Sequence, residues 1–238
     1  MIYIKLEGGL GNQLFQIFAG VSYAIDNNIP FKIEFNKHDL ISQVDHVSKR
    51  PTYWNNFLKN IVEYTSNSIP YISIYREIET FKYIQIPNVT RDFIITGYFQ
   101  SYLYFNKNIE TIKNLLDLNT FITHLKDENT ELFIKKLPIA LHFRLGDYKC
   151  ISFHPILGIE YYTRAIHMLL ENIPYLREKY YILYFFETQD KEIVYNNISK
   201  LSKIFPDLEF RACDENMEDW KQLLLMSLCS HNIIANST

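Results

Sequence analysis

The sequence predicts an α/β fold of the doubly wound type, and three observations carry that expectation. Residues 1–35 read as a complete β-loop-α-β unit, short apolar strands alternate with amphipathic helical stretches through the second half, and 47% of the 238 residues are hydrophobic. That is enough apolar material for one large core or two small ones. Ligands of such sheets bind beyond the carboxyl ends of the strands, so the loops after Leu6, Leu145, Phe186, Arg211 and Ala235 are the places to search.

Ile2, Ile4 and Leu6 recur at every second position, the mark of a strand, which Glu7-Gly8-Gly9-Leu10-Gly11 brings to an end. Asn12 is placed to cap a helix whose apolar stripe is Leu14, Ile17, Phe18, Val21 and Ile25. Asn27-Asn28-Ile29-Pro30 stops it, and Phe31-Lys32-Ile33-Glu34-Phe35 forms a second strand. From about 36 to 95 the chain is aromatic and weakly periodic, so only short elements are expected there, with a strand at Phe93 to Thr96. Strands at about 138–145, 180–187, 207–212 and 232–236 then alternate with helices at about 160–172, 190–203 and 217–230. The last helix shows its inner face as Trp220, Leu223, Leu224 and Ser227 or Leu228. Two α/β halves facing a cleft are expected, an N-terminal domain over 1–134 and a C-terminal domain over 135–238.

Charge and cysteine usage narrow the function. With 24 Lys plus Arg against 27 Asp plus Glu, the net charge of -3 gives no general field for a polyanion, so no nucleic-acid partner is expected. The 3 cysteines have no paired metal spacing and read as core residues in a reducing compartment. The opening Met1-Ile2-Tyr3-Ile4-Lys5-Leu6 turns polar at once, and no run of 18 apolar residues follows. A cytoplasmic protein without a transmembrane segment is expected, with peripheral membrane contact left open.

Two segments carry the chemistry. In Pro138-Ile139-Ala140-Leu141-His142-Phe143-Arg144-Leu145-Gly146-Asp147-Tyr148 the period of two sets Ile139, Leu141, Phe143 and Leu145 on one face, with His142 and Arg144 on the other. A guanidinium at a strand's carboxyl end suits phosphate, since its charge is permanent and its fork donates two parallel hydrogen bonds. Gly146 allows a close turn, and Asp147 is placed to orient Arg144. A simple Arg144–Asp147 ion pair at a strand terminus accounts for the same spacing.

The second segment, Gly8-Gly9-Leu10-Gly11-Asn12-Gln13, is a strand-to-helix turn whose amides can meet an anion or a sugar hydroxyl. It is not a P-loop, because no Gly-Lys-Ser/Thr follows. A dinucleotide fingerprint read from Gly9 and Gly11 fails at Leu14, although Glu34 stands where a ribose-binding acid would. An NAD-type oxidoreductase is thus the weaker rival. No cluster of metal-ligand spacing is found, the nearest pair being Asp45-His46.

Together these segments resemble the α-1,2-fucosyltransferases of glycosyltransferase family 11. Gly8-Gly9-Leu10-Gly11-Asn12-Gln13-Leu14-Phe15-Gln16 is similar to that family's N-terminal signature, and His142-Phe143-Arg144-Leu145-Gly146-Asp147-Tyr148 to its His-x-Arg-Arg-Gly-Asp-Tyr motif. Gly97-Tyr98-Phe99-Gln100-Ser101, Tyr161-Tyr162 with Ala165, Leu225-Met226-Ser227 and Ile233-Ile234-Ala235-Asn236-Ser237-Thr238 extend the resemblance to the last residue.

The resemblance implies a GT-B-like pair of Rossmann-like domains. It implies transfer of L-fucose from GDP-β-L-fucose to the 2-hydroxyl of a galactose-containing glycan or glycolipid, with inversion and without a metal. His142, Arg144 and Gly146 would bind the donor, Arg144 at the β-phosphate. Ser237 and Thr238 would add donors to the diphosphate, and Gly9, Gly11 and Asn12 would approach it from the other domain. Asp147 and Glu7 are the candidates to accept the hydroxyl proton.

Departures from the family are also legible. Leu145 replaces the motif's second arginine, and Phe185-Phe186-Glu187-Thr188-Gln189-Asp190 stands where the family has a Phe-Ser-Asp-Asp-like strand end. The chain stops at Thr238, before the family's Phe-Ser-Trp-Trp stretch, so the second domain is expected to be incomplete at its end. These differences define a second rival, a degenerate relative that binds glycan or nucleotide without turnover.

Overall fold

The structure is a computed structural model that describes residues 1–36, 40, 50–150 and 154–236. Its contacts form two compact units, Met1–Asn119 and the chain from Thr120 onward. The line read from the sequence falls at 134/135. The helix over Leu118–Glu128 accounts for the difference, because Phe121 packs edge-on to Trp220, with centroids 5.6 Å apart.

The first unit holds β1 (Ile2–Ile4), α1 (Leu10–Asn27), β2 (Phe31–Glu34), β3 (Thr65–Ser66), β4 (Ile74–Arg76) and β5 (Phe93–Thr96), followed by α2 (Ile109–Leu116). The strands pair in the order β3-β2-β1-β5-β4, all parallel. Parallel strands need helices or long connections across their faces, which is why β1 and β5 are apolar on both sides. Ile2, Ile4, Ile33, Phe93 and Ile95 are all buried. α1 ends where Asn28 enters the left-handed region at φ 51. Its start differs from the sequence expectation, for the helix begins at Leu10 with Gly9 as N-cap, and Asn12 lies inside the first turn.

The second unit begins with α3 (Leu118–Glu128, save its first two residues) and continues with β6 (Leu137–His142), α4 (Ile159–Asn172), α5 (Leu176–Lys179), β7 (Tyr180–Phe185), α6 (Lys191–Ile204), β8 (Phe210–Ala212), α7 (Asp219–Leu228) and β9 (His231–Ile233). Its sheet runs β8-β7-β6-β9, again wholly parallel. Successive strands step outward from β6 to β8, and the chain then returns to the other side of β6. By the right-handed rule for parallel crossovers, connections that run in opposite directions along the sheet put helices on both faces, as a doubly wound sheet requires. The core joins Ile139, Leu141 and Phe143 to Tyr162 and Ile166 of α4 and to Val194 and Leu201 of α6. The α/β class with parallel sheets is therefore the one the sequence indicates.

Cys213 and Cys229 are buried, and burial pushes both thiols up to about 12, which makes them inert core residues. Among the described residues, no helix is long and apolar enough to cross a membrane.

Candidate functional site

In the second unit the strand order reverses between β6 and β9, and ligands of doubly wound sheets bind beyond the carboxyl ends at such a point. The register of the neighbouring pair sets what stands there. His142 pairs with Phe185, and the Phe143 amide donates to the Phe185 carbonyl at 2.9 Å. Two residues further along each chain, Arg144 comes level with Glu187, and Nη1 of the arginine donates to Glu187 Oε1 at 2.5 Å. Nη2 donates to Asp147 Oδ1 at 2.6 Å, and the guanidinium carbon lies 5.1 Å from the centroid of the Tyr148 ring. The Arg144–Asp147 pair considered from spacing is thus present, with Glu187 as an additional carboxylate. Nε of Arg144 is buried without a hydrogen-bond partner.

The turn behind the arginine is held from below. Gly146 has φ +27, and a Cβ there would come within 2.7 Å of the Glu187 carboxylate, so the position demands glycine. Its amide donates to Asp190 Oδ2 at 2.7 Å, and the Lys149 ammonium pairs with the other oxygen of Asp190. Asp190 is fully buried, and these two partners offset the cost of taking a carboxylate out of water.

Loops after β6 and β9 are tied together. The Tyr148 hydroxyl donates to the Asn236 carbonyl at 3.2 Å, and the Tyr161 hydroxyl to that of Ile234 at 2.5 Å. Asn236 Nδ2 donates to the Pro155 carbonyl at 2.8 Å. Tyr161 packs edge-on to Tyr162, and the Tyr148 ring stacks on His154 at 4.5 Å. Burial, helped by the Arg144 charge, pushes the His142 imidazole down to about 4, so it is neutral at neutral pH. Leu145 points into the core and takes no part in the ion-pair cluster. Ser237 and Thr238 lie outside the described residues.

Beside this cluster, at the carboxyl ends of β7 and β8, is an open cavity of about 440 Å³. Thr188, Lys191, Cys213, Asp214, Glu215 and Asn216 line it. Glu215 pairs with Lys191 and accepts from the Tyr195 hydroxyl at 2.9 Å, which holds its carboxyl below the usual range.

The first unit has a switch point of its own between β1 and β5, and the glycine turn sits there. Gly8 has φ +80, where a Cβ would meet Asn12 Nδ2 at 2.5 Å. Gln16 grips the turn through both backbone groups of Glu7, accepting from its amide at 2.8 Å and donating to its carbonyl at 3.1 Å. Gln13, which reads in the sequence as a first-turn polar residue, is fully buried and donates to the carbonyls of Gly8 and Pro51, each at 3.0 Å. Asn12 accepts from Gln100 Nε2 at 2.7 Å, which joins the Gly8 segment to the Gly97 segment. Glu7 Oε1 lies 3.5 Å from Thr96 Oγ1 and 3.8 Å from Lys5 Nζ. Glu34 accepts from the Leu6 amide at 3.4 Å.

Sequence reasoning missed Glu187, Asp190 and Lys149 as members of the arginine cluster. The signal existed in part, since the adjacent strand's end carries two acids, but only the register aligns Glu187 with Arg144.

No family model matches the chain. It is 25% identical to the O-antigen biosynthesis glycosyltransferase WbnK of Escherichia coli, in an alignment of 291 residues that covers all of this chain and 87% of that protein. It is 22% identical to an alpha-1,2-colitosyltransferase of Escherichia coli, over 262 residues covering all of this chain and 84% of that one. Among solved structures, that of the NodZ alpha-1,6-fucosyltransferase co-crystallized with GDP is matched with a TM-score of 0.47 and 11% identity, over 96% of this chain and 81% of the other. The chain is thus similar over its whole length to two glycosyltransferases, one of them an alpha-1,2-colitosyltransferase.

Proposed function

We propose that the protein transfers L-fucose, or a closely related deoxysugar, from its GDP-activated β form to the 2-hydroxyl of a galactoside, with inversion and without a metal. The observation that carries this reading is Arg144, a permanent cation at the carboxyl end of β6 beside the switch point, with a buried N–H that lacks an acceptor. A diphosphate oxygen would supply one. The open cavity beyond β7 and β8 offers room for the nucleoside. The α-1,2 linkage in one relative's name supports the choice of hydroxyl, and its sugar, colitose, is the reason the donor is framed more widely than fucose.

In the proposed reaction the acceptor oxygen forms a bond to C1 of the donor sugar as the bond from C1 to the diphosphate oxygen breaks. Negative charge gathers on the departing GDP, where a preorganised guanidinium stabilises the transition state more than the ground state. Asp147, already bonded to Arg144, is assigned to hold it rather than to take a proton. The hydroxyl proton is lost late, to solvent, from a dissociative transition state.

The test is incubation of purified protein with GDP-fucose, a panel of other GDP-deoxysugars and a β-galactoside, with the product's linkage read by NMR. An α-1,2 product supports the proposal, and another linkage or donor class overturns it. A second reading, binding without turnover, is favoured by the two carboxylates that occupy Arg144. Retained GDP binding with no transfer to any acceptor would select it.

A further inference from the structure

We propose that Glu187 is an internal stand-in for the donor's phosphate, a carboxylate that leaves Arg144 when a diphosphate arrives and so sets donor affinity. This rests on the reading of Arg144 as the donor's phosphate ligand. The two carboxylates on the guanidinium are unequal. The Asp147 side chain is 9% exposed and is fixed by the turn it belongs to, whereas that of Glu187 is 42% exposed, at the surface of the site. Gln189 Nε2 donates to Glu187 Oε2 at 2.6 Å, so the carboxylate has a partner on its outer side to retain as it moves. Beneath it lies Gly146, with no side chain to hold it in place.

Competition for the guanidinium favours the exchange. Among the described residues, the carboxylates Asp147, Glu187 and Asp190 surround the cations Arg144 and Lys149, and Glu187 competes directly with a phosphate for the guanidinium. Asp190 is buried beneath the turn, and Asp147 holds the arginine. Glu187 is the member that can withdraw. Once it does, Nη1 is open to an incoming phosphate oxygen, a charge-assisted bond that replaces the one to the carboxylate.

The experiment is calorimetric titration of GDP into the wild type, Glu187→Gln, Arg144→Ala and the double variant. Glu187→Gln is expected to bind GDP about fivefold or more tightly than wild type, because a neutral amide neither competes for the arginine nor repels the phosphate. That gain should vanish in the double variant. Glu187→Asp, which keeps the charge but shortens the reach, decides the matter if Glu187→Gln fails to fold, and it should also bind more tightly than wild type. Equal or weaker binding by the folded variants overturns the proposal and makes Glu187 a positioning residue for Arg144. If Glu187→Gln and Glu187→Asp show no gain while the wild type binds and Arg144→Ala does not, only this inference has failed. If no variant binds GDP, the reading of the site has failed with it.

Discussion

The amide of Gly146 donates to Oδ2 of Asp190 at 2.7 Å, which makes a side chain at the head of α6 the anchor of the turn that follows β6. The same carboxylate takes the Lys149 ammonium on its other oxygen, so one buried group holds the first and fourth residues of the five-residue turn that begins at Gly146. The position of Arg144 is therefore decided partly on another strand's loop. This separates what the arginine does from what keeps it in place.

Replacing Asp190 by Ala should cost stability, since it strands the Gly146 amide and removes the partner of Lys149. Because the Lys149 side chain is 36% exposed and can turn to solvent, a loss of about 2 kcal/mol is expected rather than the larger figure for a wholly buried pair. Urea unfolding checks it. Asp190→Asn, which keeps an acceptor for the amide, should lose less.

Arg144→Lys should leave the fold intact and lower transfer about a hundredfold, because a point charge cannot hold Asp147 and a phosphate in the geometry of a planar fork. Steady-state kinetics beside a melting curve distinguish this from unfolding. Near-normal turnover would remove Arg144 from the mechanism.

GDP should raise the melting temperature and GMP should raise it less, because only the diphosphate reaches Arg144. At a hundredfold excess over Kd the native state gains about 2.7 kcal/mol, enough for a shift of several degrees. Equal shifts from the two nucleotides would contradict the proposed contact.

Acid should weaken the second unit through His142. Its imidazole titrates near 4 in the folded chain against an ordinary value of 6.5, so the unfolded state binds the proton more readily between those limits. Stability contributed by the neutral ring is complete above pH 6.5 and is lost as pH falls, by about 2 kcal/mol at pH 5. Denaturant unfolding of wild type and His142→Asn across pH 4 to 8 reads this out, with a flatter profile expected for the variant.

How far the sequence carries the fold depends on element length. β1, α1 and β2 are legible because alternation, a helical stripe and Asn27-Asn28-Ile29-Pro30 agree with one another. β3 and β4 are not, for strands of two and three residues are too short to show a period. Asn12 reads as a cap because Asn commonly caps helices, yet its side chain accepts from Gln100, a partner 88 residues away that no local rule anticipates. Arg144 and Asp147 stand out within one segment, whereas Glu187 joins them only through the pairing of two strands. Gln13 is hidden for a similar reason. Its burial follows from the approach of Pro51, which comes from the weakly periodic stretch.

The chain order of the second sheet has a further consequence. β6 is an inner strand, yet one of its neighbours is β9, the last of the four to be synthesised. Until His231–Ile233 emerges, the nascent protein displays one side of β6 as a bare row of amides and carbonyls flanked by apolar residues, the kind of surface on which growing chains aggregate. Because every pairing is parallel, no hairpin can cover that row early, so the unit must close late and slowly. Production of this protein should accordingly be sensitive to translation rate and to the chaperones that shield unpaired strand edges.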